Sequence, residues 1–146
     1  MDDVDRQILG ILRRDARTPY TEIADEIGTS EGTVRNRVES LIEDGVIERF
    51  TVATRTGNVK AMIETSVDVN VNTQGVTEVM AEWAEVDFVW QVSGEEDIVL
   101  VADAADTSSL NDLITRAREL EEVVSTKTRL ILDEWLGSRA APAAGE

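Results

Sequence analysis

The sequence contains no cysteine and no histidine. Disulfide bonds and thiolate chemistry are therefore excluded, and the commonest general base and transition-metal ligand is missing. We accordingly expect no catalytic site, no metal site and no cofactor. No apolar run approaches the roughly 18 residues that a membrane span needs, and the acidic start of the chain differs from the basic start of a signal peptide. The expectation is a cytoplasmic protein with no membrane partner.

Lysine is almost absent as well. Lys60 and Lys127 are the only lysines among 14 basic residues, which face 30 acidic ones, and the net charge is -16. Such a balance is typical of proteins from extreme halophiles, because at about 1 M salt the screening length falls to about 3 Å and dense carboxylates repel one another little. The alternatives are a mesophilic protein with a basic partner and an ordinary acidic surface. Overall acidity disfavours non-specific binding to nucleic acid.

Residues 1–50 follow helical periodicity. The spacing of apolar residues predicts a first helix over residues 3–14. A second helix is expected to start at Pro19 and to end before Gly28. A third helix follows, with Ser30 as its N-cap. Three short helices with a tight turn between the second and the third are typical of a helix-turn-helix.

The rest of the chain changes character after the third helix. Residues 46–52 are rich in β-branched side chains and predict an extended segment, and residues 51–59 are interpreted as a linker strand. Apolar patterns over residues 60–136 follow the order β-α-β-β-α-β, with a last strand over residues 124–132, which is the order of a ferredoxin-like fold. The tail, residues 137–146, has nothing to bury and is expected to be disordered.

The third helix carries side chains that suit DNA bases near its start. The first residues of a recognition helix face base edges in the major groove, where Arg can read guanine and Asn can read adenine. Gly32 would allow close approach, and Arg37 is expected to hold a phosphate or a neighbouring carboxylate. The alternative is a solvated helical face. The candidate DNA-binding residues are Ser30, Glu31, Gly32, Thr33, Arg35, Asn36 and Arg37.

A loop between two apolar strands, residues 93–97, is the candidate effector site. Gly94 permits a tight turn whose amides could meet a carboxylate. Nearby carboxylates are candidates to hold an ammonium. The alternative is an ordinary hairpin whose acids face solvent. The candidate effector-binding residues are Gly94, Glu95, Glu96, Asp97 and Asp103.

Three stretches together resemble the Lrp/AsnC family of feast/famine regulators. They are VDRQIL followed by DARTPYTEIA, then SEGTVRNRV followed by LIEDGVI, and finally SGEED at residues 93–97. The resemblance spans residues 2–135. It implies an α+β protein with a winged-helix-like DNA-binding domain tethered to a ferredoxin-like regulatory domain, called RAM. It also implies dimers that often stack into octamers, and amino-acid effectors. Glu96 departs from the family, which often has an aromatic residue there.

The predicted function is that of a sequence-specific transcription regulator. It would bind double-stranded DNA as a homodimer or octamer and respond to a small molecule such as an amino acid. One alternative is an architectural DNA-binding protein without an effector. Another is an enzyme similar to decarboxylases of modified tetrapyrroles, for which the chain shows no catalytic constellation. A sheet with helices on one side only predicts dimers that pack sheet to sheet.

Overall fold

The computed structural model describes residues 1–137. The tail that was predicted to be disordered therefore lies, apart from Gly137, outside the described residues. The chain divides into two units, of which the first includes residues 1–54 and the second residues 55–134. Within the described part of the chain, no helix combines the length and the apolar character that crossing a membrane requires.

The first unit contains three helices, α1 (Asp3–Arg14), α2 (Tyr20–Ile27) and α3 (Glu31–Glu43), as the periodicity predicted. A capping box begins α1. The Asp2 carboxylate accepts the backbone N–H of Asp5 at 3.0 Å, and the Asp5 carboxylate accepts the N–H of Asp2 at 2.8 Å. These bonds satisfy two N–H groups that a helix start otherwise leaves without partners.

The turn between α2 and α3 confirms the roles expected of its residues. Gly28 has a φ of 73°, a left-handed conformation that glycine adopts readily, and its N–H donates to the Ala24 carbonyl. The Ser30 hydroxyl then caps α3. The apolar faces of the three helices meet in one core, formed by Ile8, Ile11, Leu12, Ile23, Ala24, Val34 and Val38.

The extended segment after α3 forms no strand within the described chain. Residues 46–52 and the predicted linker strand at residues 51–59 have no strand partner, and β1 begins only at Val59. The prediction of a linker strand is therefore wrong for the single chain, because extended residues become a strand only when a neighbour completes the hydrogen-bond ladder. The hairpin that would make a wing is missing from the same segment.

The second unit is a four-stranded antiparallel sheet with two helices. The strand order is β2-β3-β1-β4, which places β1 and β3 in the centre and is the arrangement expected of a ferredoxin-like fold. The last strand starts one residue earlier and ends two residues earlier than predicted. The elements are β1 (Val59–Val67), α4 (Thr73–Ala81), β2 (Val86–Gln91), β3 (Ile98–Ala104), α5 (Thr107–Arg118) and β4 (Val123–Leu130).

One face of this sheet is covered by α4 and α5. Alternate residues of the two central strands are buried there and pack against one side of each helix, as the period of two in a strand requires. Thr65 is the one polar side chain of these strands that is fully buried on this side. The core of the second unit is formed mainly by Ala61, Ile63, Leu100, Ala102, Val76, Met80, Leu110 and Leu113.

Neither α4 nor α5 covers the opposite face of the sheet, and we call it the open face. Phe88 and Trp90 lie there beside Val99 and Val101, their partners in the ladder. The two aromatic rings are stacked, with centroids 5.5 Å apart and an interplanar angle of 10°. Phe88 is 51% exposed and Trp90 is 47% exposed. In the single chain, the part of the open face formed by β2 and β3 thus presents an apolar surface to solvent.

Candidate DNA interface and effector loop

The start of α3 is fixed by two hydroxyl side chains. The Ser30 Oγ accepts the backbone N–H of Thr33 at 3.1 Å, and the two hydroxyl oxygens lie 2.8 Å apart. Ser30 and Thr33 were both predicted to bind DNA, and the structure engages both in capping. Because this cap defines the first turn of α3, it sets the direction in which the following side chains point.

The exposed side of α3 is opposite its buried side. Val34 and Val38 are buried in the core, whereas Gly32 and Asn36 are exposed. A Cβ atom built on Gly32 would meet no atom within 4 Å, so this part of the surface is open. Residues 32–38 contain two arginines and no acid. Residues 32–38 can therefore approach a nucleic-acid groove, because none of their side chains is negatively charged.

Arg35 lies on the flank of α3 that faces α2. Its Nη2 donates to the Glu31 Oε1 one turn earlier on the same helix, and its guanidinium lies 5.6 Å from the centroid of the Tyr20 ring, within the range of a cation–π contact. The hydrogen bond and the charge of Glu31 raise the pKa of Arg35 above its ordinary value. Arg35 is thus a charged group whose position is set by two neighbours.

Arg37 lies on the other flank, which faces α1. Its Nη1 donates to the Asp2 carboxylate at 2.6 Å and to the Asp5 carboxylate at 3.2 Å. These contacts raise the pKa of Arg37, and the Asp5 N–H and the Arg37 side chain together lower the pKa of Asp2. Of the two partners that the sequence suggested for Arg37, the structure gives the neighbouring carboxylate.

Sequence reasoning missed two residues of this region. Tyr20 was assigned no role, and Asp2 was treated only as part of the acidic start of the chain. Each contacts an arginine of α3 from a different helix. The signal for Asp2 was present, because an acid three residues before Asp5 fits a capping box. The sequence carries no comparable signal for Tyr20, whose contact depends on the packing of α2 against α3.

The loop of residues 93–97, which we call the effector loop, turns at a glycine. Gly94 has a φ of 133°, a conformation that other residues rarely adopt. The Val92 N–H donates to the Asp97 carbonyl at 2.9 Å and closes the loop. The Asp97 carboxylate accepts the N–H of Val67 at 2.9 Å. Asp97 therefore joins the effector loop to the end of β1.

Glu96 holds a second link between the effector loop and the sheet. Its carboxylate accepts from the Ser66 hydroxyl at 3.0 Å and from the Lys127 Nζ at 2.5 Å. The bond from Lys127 is the largest cause of a lowered pKa of Glu96. The Glu95 side chain is 91% exposed, and its carboxylate lies 3.9 Å from the same ammonium. Glu95 is thus the loop carboxylate that faces solvent most openly.

Asp103 was predicted to belong to the effector site, but in the single chain the structure does not place it near the effector loop. It lies near the far end of β3, six residues beyond Asp97, which corresponds to about 20 Å along a strand. Its backbone N–H donates to the Glu85 carbonyl at 2.8 Å. One carboxylate oxygen of Asp103 is buried without a hydrogen-bond partner among residues 1–137. The same residues contain no group of acids arranged to hold a metal ion.

Comparisons with known proteins cover nearly the whole chain. Residues 1–42 match the family model of the AsnC-type helix-turn-helix domain, and residues 60–141 match that of the Lrp/AsnC ligand binding domain. The chain is 38% identical to the HTH-type transcriptional regulator LysM of Sulfurisphaera tokodaii over 136 residues, which cover 92% of this chain and 97% of LysM.

Solved structures agree with these matches. The crystal structure of MtbAldR superposes with a TM-score of 0.86 at 26% identity, covering 96% of this chain and 97% of that one. The feast or famine regulatory protein from M. tuberculosis, complexed with L-methionine, gives a TM-score of 0.81 at 26% identity. That match covers 94% of this chain and 96% of its counterpart.

Proposed function

The chain belongs to the Lrp/AsnC family of DNA-binding transcription regulators, and we propose that it reads its operators through the exposed side of α3. One observation carries this proposal. The first turns of α3 present Gly32, Arg35 and Asn36 to solvent, while the other side of the helix packs in the core. An exposed, rigid helix with Arg and Asn side chains has the chemistry that recognises guanine and adenine in the major groove.

The experiment is a binding titration with the full chain and a duplex selected by it from a randomised pool. Asn36→Ala is expected to weaken binding by about 1–3 kcal/mol. This loss should occur only with duplexes that contain the base pair contacted by Asn36. Arg118→Ala, near the end of α5, is a control for Arg35→Ala, because it removes the same charge from the other unit. If neither α3 variant changes binding at matched salt, another surface reads the DNA.

We propose further that an amino acid or a related zwitterion binds beside the effector loop. The matched domain is a ligand-binding domain, and a relative of similar fold is complexed with L-methionine. The positive φ of Gly94 allows a turn whose backbone amides could meet a carboxylate, and Glu95 offers an exposed carboxylate to an ammonium. Because Asp97 and Glu96 are already engaged with the sheet, a ligand that recruits them must compete with these bonds.

We propose that the protein is a homodimer joined through the open face of its sheet. Phe88, Trp90, Val99 and Val101 form an apolar surface on that face, and packing it against the same surface of a second copy would remove it from water. A self-complementary patch suits a two-fold dimer, which would also present two copies of α3 to two half-sites on DNA. Further stacking of dimers into an octamer is the higher assembly that the family suggests.

We infer a working environment of high salt in the cytoplasm. The support is the net charge of -16 with only two lysines, since such a surface repels itself in dilute buffer and is screened at molar salt. Electrostatic attraction to phosphates weakens as salt rises. Recognition by base contacts at α3 is therefore expected to contribute more of the affinity than phosphate contacts do.

A further inference from the structure

Arg35 is held on two sides by residues of the helix-turn-helix. Glu31 accepts a hydrogen bond from one terminal nitrogen of its guanidinium, and Tyr20 presents its ring to the guanidinium at 5.6 Å. The charge of Glu39, one turn further along α3, acts on Arg35 in the same direction as that of Glu31. The three neighbours come from the two helices that form the helix-turn-helix.

This arrangement leaves most of the guanidinium available. An arginine has five N–H donors, and the bond to Glu31 uses the Nη2 nitrogen. The Nη1 and Nε nitrogens have no hydrogen-bond partner within residues 1–137, and the side chain is 55% exposed. A guanine needs two parallel donors from one arginine. Because Nη2 has a second N–H, which can pair with an N–H of Nη1 or of Nε, the held guanidinium can still supply two parallel donors.

The negative charge of Glu31 matters as much as its hydrogen bond. A free arginine beside a duplex binds any phosphate, because phosphate contacts carry no sequence information. A carboxylate next to that arginine repels phosphates and neutralises the charge that would attract them. Glu31 therefore weakens the sequence-independent part of binding at this point of the surface.

We propose that Glu31 is a positioning residue for base recognition, which together with Tyr20 holds the Arg35 guanidinium in the orientation that reads a guanine. This inference rests on the proposal that α3 reads the operator. Its consequence is that Glu31 lowers affinity for DNA in general and raises discrimination between sequences. An ordinary surface pair one turn apart on a helix would stabilise the helix slightly and leave discrimination unchanged.

The test compares Glu31→Ala, Glu31→Gln and Arg35→Ala in the full chain. Each variant is titrated at one salt concentration with the duplex selected from a random pool and with a scrambled duplex of the same length and composition. Glu43→Gln is the matched control, because Glu43 is the exposed last residue of α3 and its change removes the same charge. Circular dichroism melts record the stability of every variant.

Glu31→Ala is expected to bind the scrambled duplex more tightly and to lower the ratio of selected to scrambled affinity by about five- to tenfold. Glu31→Gln keeps the accepting oxygen without the charge, so its ratio should lie between those of Glu31→Ala and the native chain. Glu43→Gln should raise both affinities slightly and leave the ratio unchanged. Repeating the selection with Glu31→Ala should show a weakened preference at a single base-pair position of each half-site.

Two results separate the inference from the proposal beneath it. If Arg35→Ala lowers the ratio and Glu31→Ala does not, α3 reads the DNA but Glu31 does not position the arginine, and the inference is overturned. If Arg35→Ala and Asn36→Ala both leave the ratio unchanged, the proposed reading by α3 fails as well. Tyr20→Leu, which removes the ring, is expected to lower the ratio in the same direction as Glu31→Ala.

Discussion

The Lys127 ammonium lies 2.5 Å from the Glu96 carboxylate, so that one of the two lysines in the chain ties the effector loop to the last strand of the sheet. The bond lowers the pKa of Glu96 and raises the pKa of Lys127. A group whose folded-state pKa is lowered stabilises the folded protein above its unfolded-state pKa, and this contribution disappears as the pH falls through the lowered value. Lys127 depends on pH in the opposite direction, because its pKa is raised in the folded protein. The stabilisation that it provides is lost only at alkaline pH, as the pH rises through the raised pKa.

Lys127→Gln should therefore raise the titration midpoint of Glu96 towards that of an ordinary glutamate. The measurement is a carboxyl carbon NMR titration of the full chain. Lys60→Gln removes the other lysine, which pairs with Glu134 at 2.9 Å, and should leave the Glu96 midpoint where it is. A midpoint that does not move in Lys127→Gln would mean that the Ser66 hydroxyl and the charge of Arg129, and not Lys127, lower the pKa of Glu96.

Arg37→Ala is expected to destabilise the first unit more than Arg35→Ala does. Arg37 joins α3 to the start of α1, and its loss deprives the largely buried Asp5 carboxylate, 9% exposed, of its positive partner. Buried carboxylates that lose a partner retain the cost of their desolvation. Urea unfolding of both variants at one salt concentration gives the comparison, with Arg17→Ala as a control on an exposed arginine. Equal midpoints for Arg37→Ala and Arg17→Ala would contradict the structural role of Arg37.

Trp90→Ala should weaken the proposed dimer. Large aromatic residues at the centre of an interface often contribute about 2 kcal/mol or more, which is about a 30-fold rise in the dissociation constant of the dimer. Sedimentation equilibrium at high KCl measures this constant. Val69→Ser is the control, because Val69 is 97% exposed in the loop after β1 and is not part of the open face. A native chain that sediments as a monomer would exclude the interface altogether.

Gly94→Val should abolish the response to the effector. The φ of 133° at this position strains a β-branched residue by about 1–3 kcal/mol, and the loop is expected to relax by changing its backbone. Calorimetry with each of the twenty amino acids in high KCl should give heat for the native chain and none for the variant. DNA binding without effector should persist in the variant. A native chain that binds none of these amino acids, with no change in DNA affinity, would leave the loop a plain hairpin.

The melting temperature should rise with KCl concentration. Asp25 on α2, Asp112 on α5 and Glu121 in the turn before β4 are exposed acids. Replacing them by Asn or Gln should let the protein reach the same melting temperature at lower salt, because less repulsion remains to be screened. Differential scanning calorimetry over a KCl series measures both curves. A native chain whose melting temperature is indifferent to salt would rule out the halophilic interpretation.

Local patterns predicted the helices well, and the reason is physical. Each bound of α1, and the roles of Gly28 and Ser30, depend on residues within one or two turns of each other. The linker strand failed for the opposite reason, since extended residues need a partner that the sequence of one chain does not supply. The order of the strands followed from their succession, because consecutive elements strongly constrain how a sheet can be built.

The features of the candidate sites also divide into those set by local sequence, which were predictable, and those set by packing, which were not. The turn at Gly94 was predictable, because it depends on a single residue. The engagement of Glu96 by Lys127 was not, since it joins residues 31 positions apart and requires the sheet to be in register. The grouping of Asp103 with the effector loop overlooked the length of β3. The pairing of Arg35 with Tyr20 required the packing angle of two helices, which no periodicity contains.

Different positions of α3 serve packing and DNA contact, so the DNA specificity of this helix can be changed by substitution. Its two arginines are anchored on opposite flanks by neighbouring acids, while Gly32 and Asn36 between them have open surroundings. Side chains at these two positions can therefore be exchanged without disturbing the packing of the three helices. A library randomised at positions 32 and 36 alone would yield regulators that fold alike and recognise different operators, whereas changes on the flanks would alter folding and recognition together.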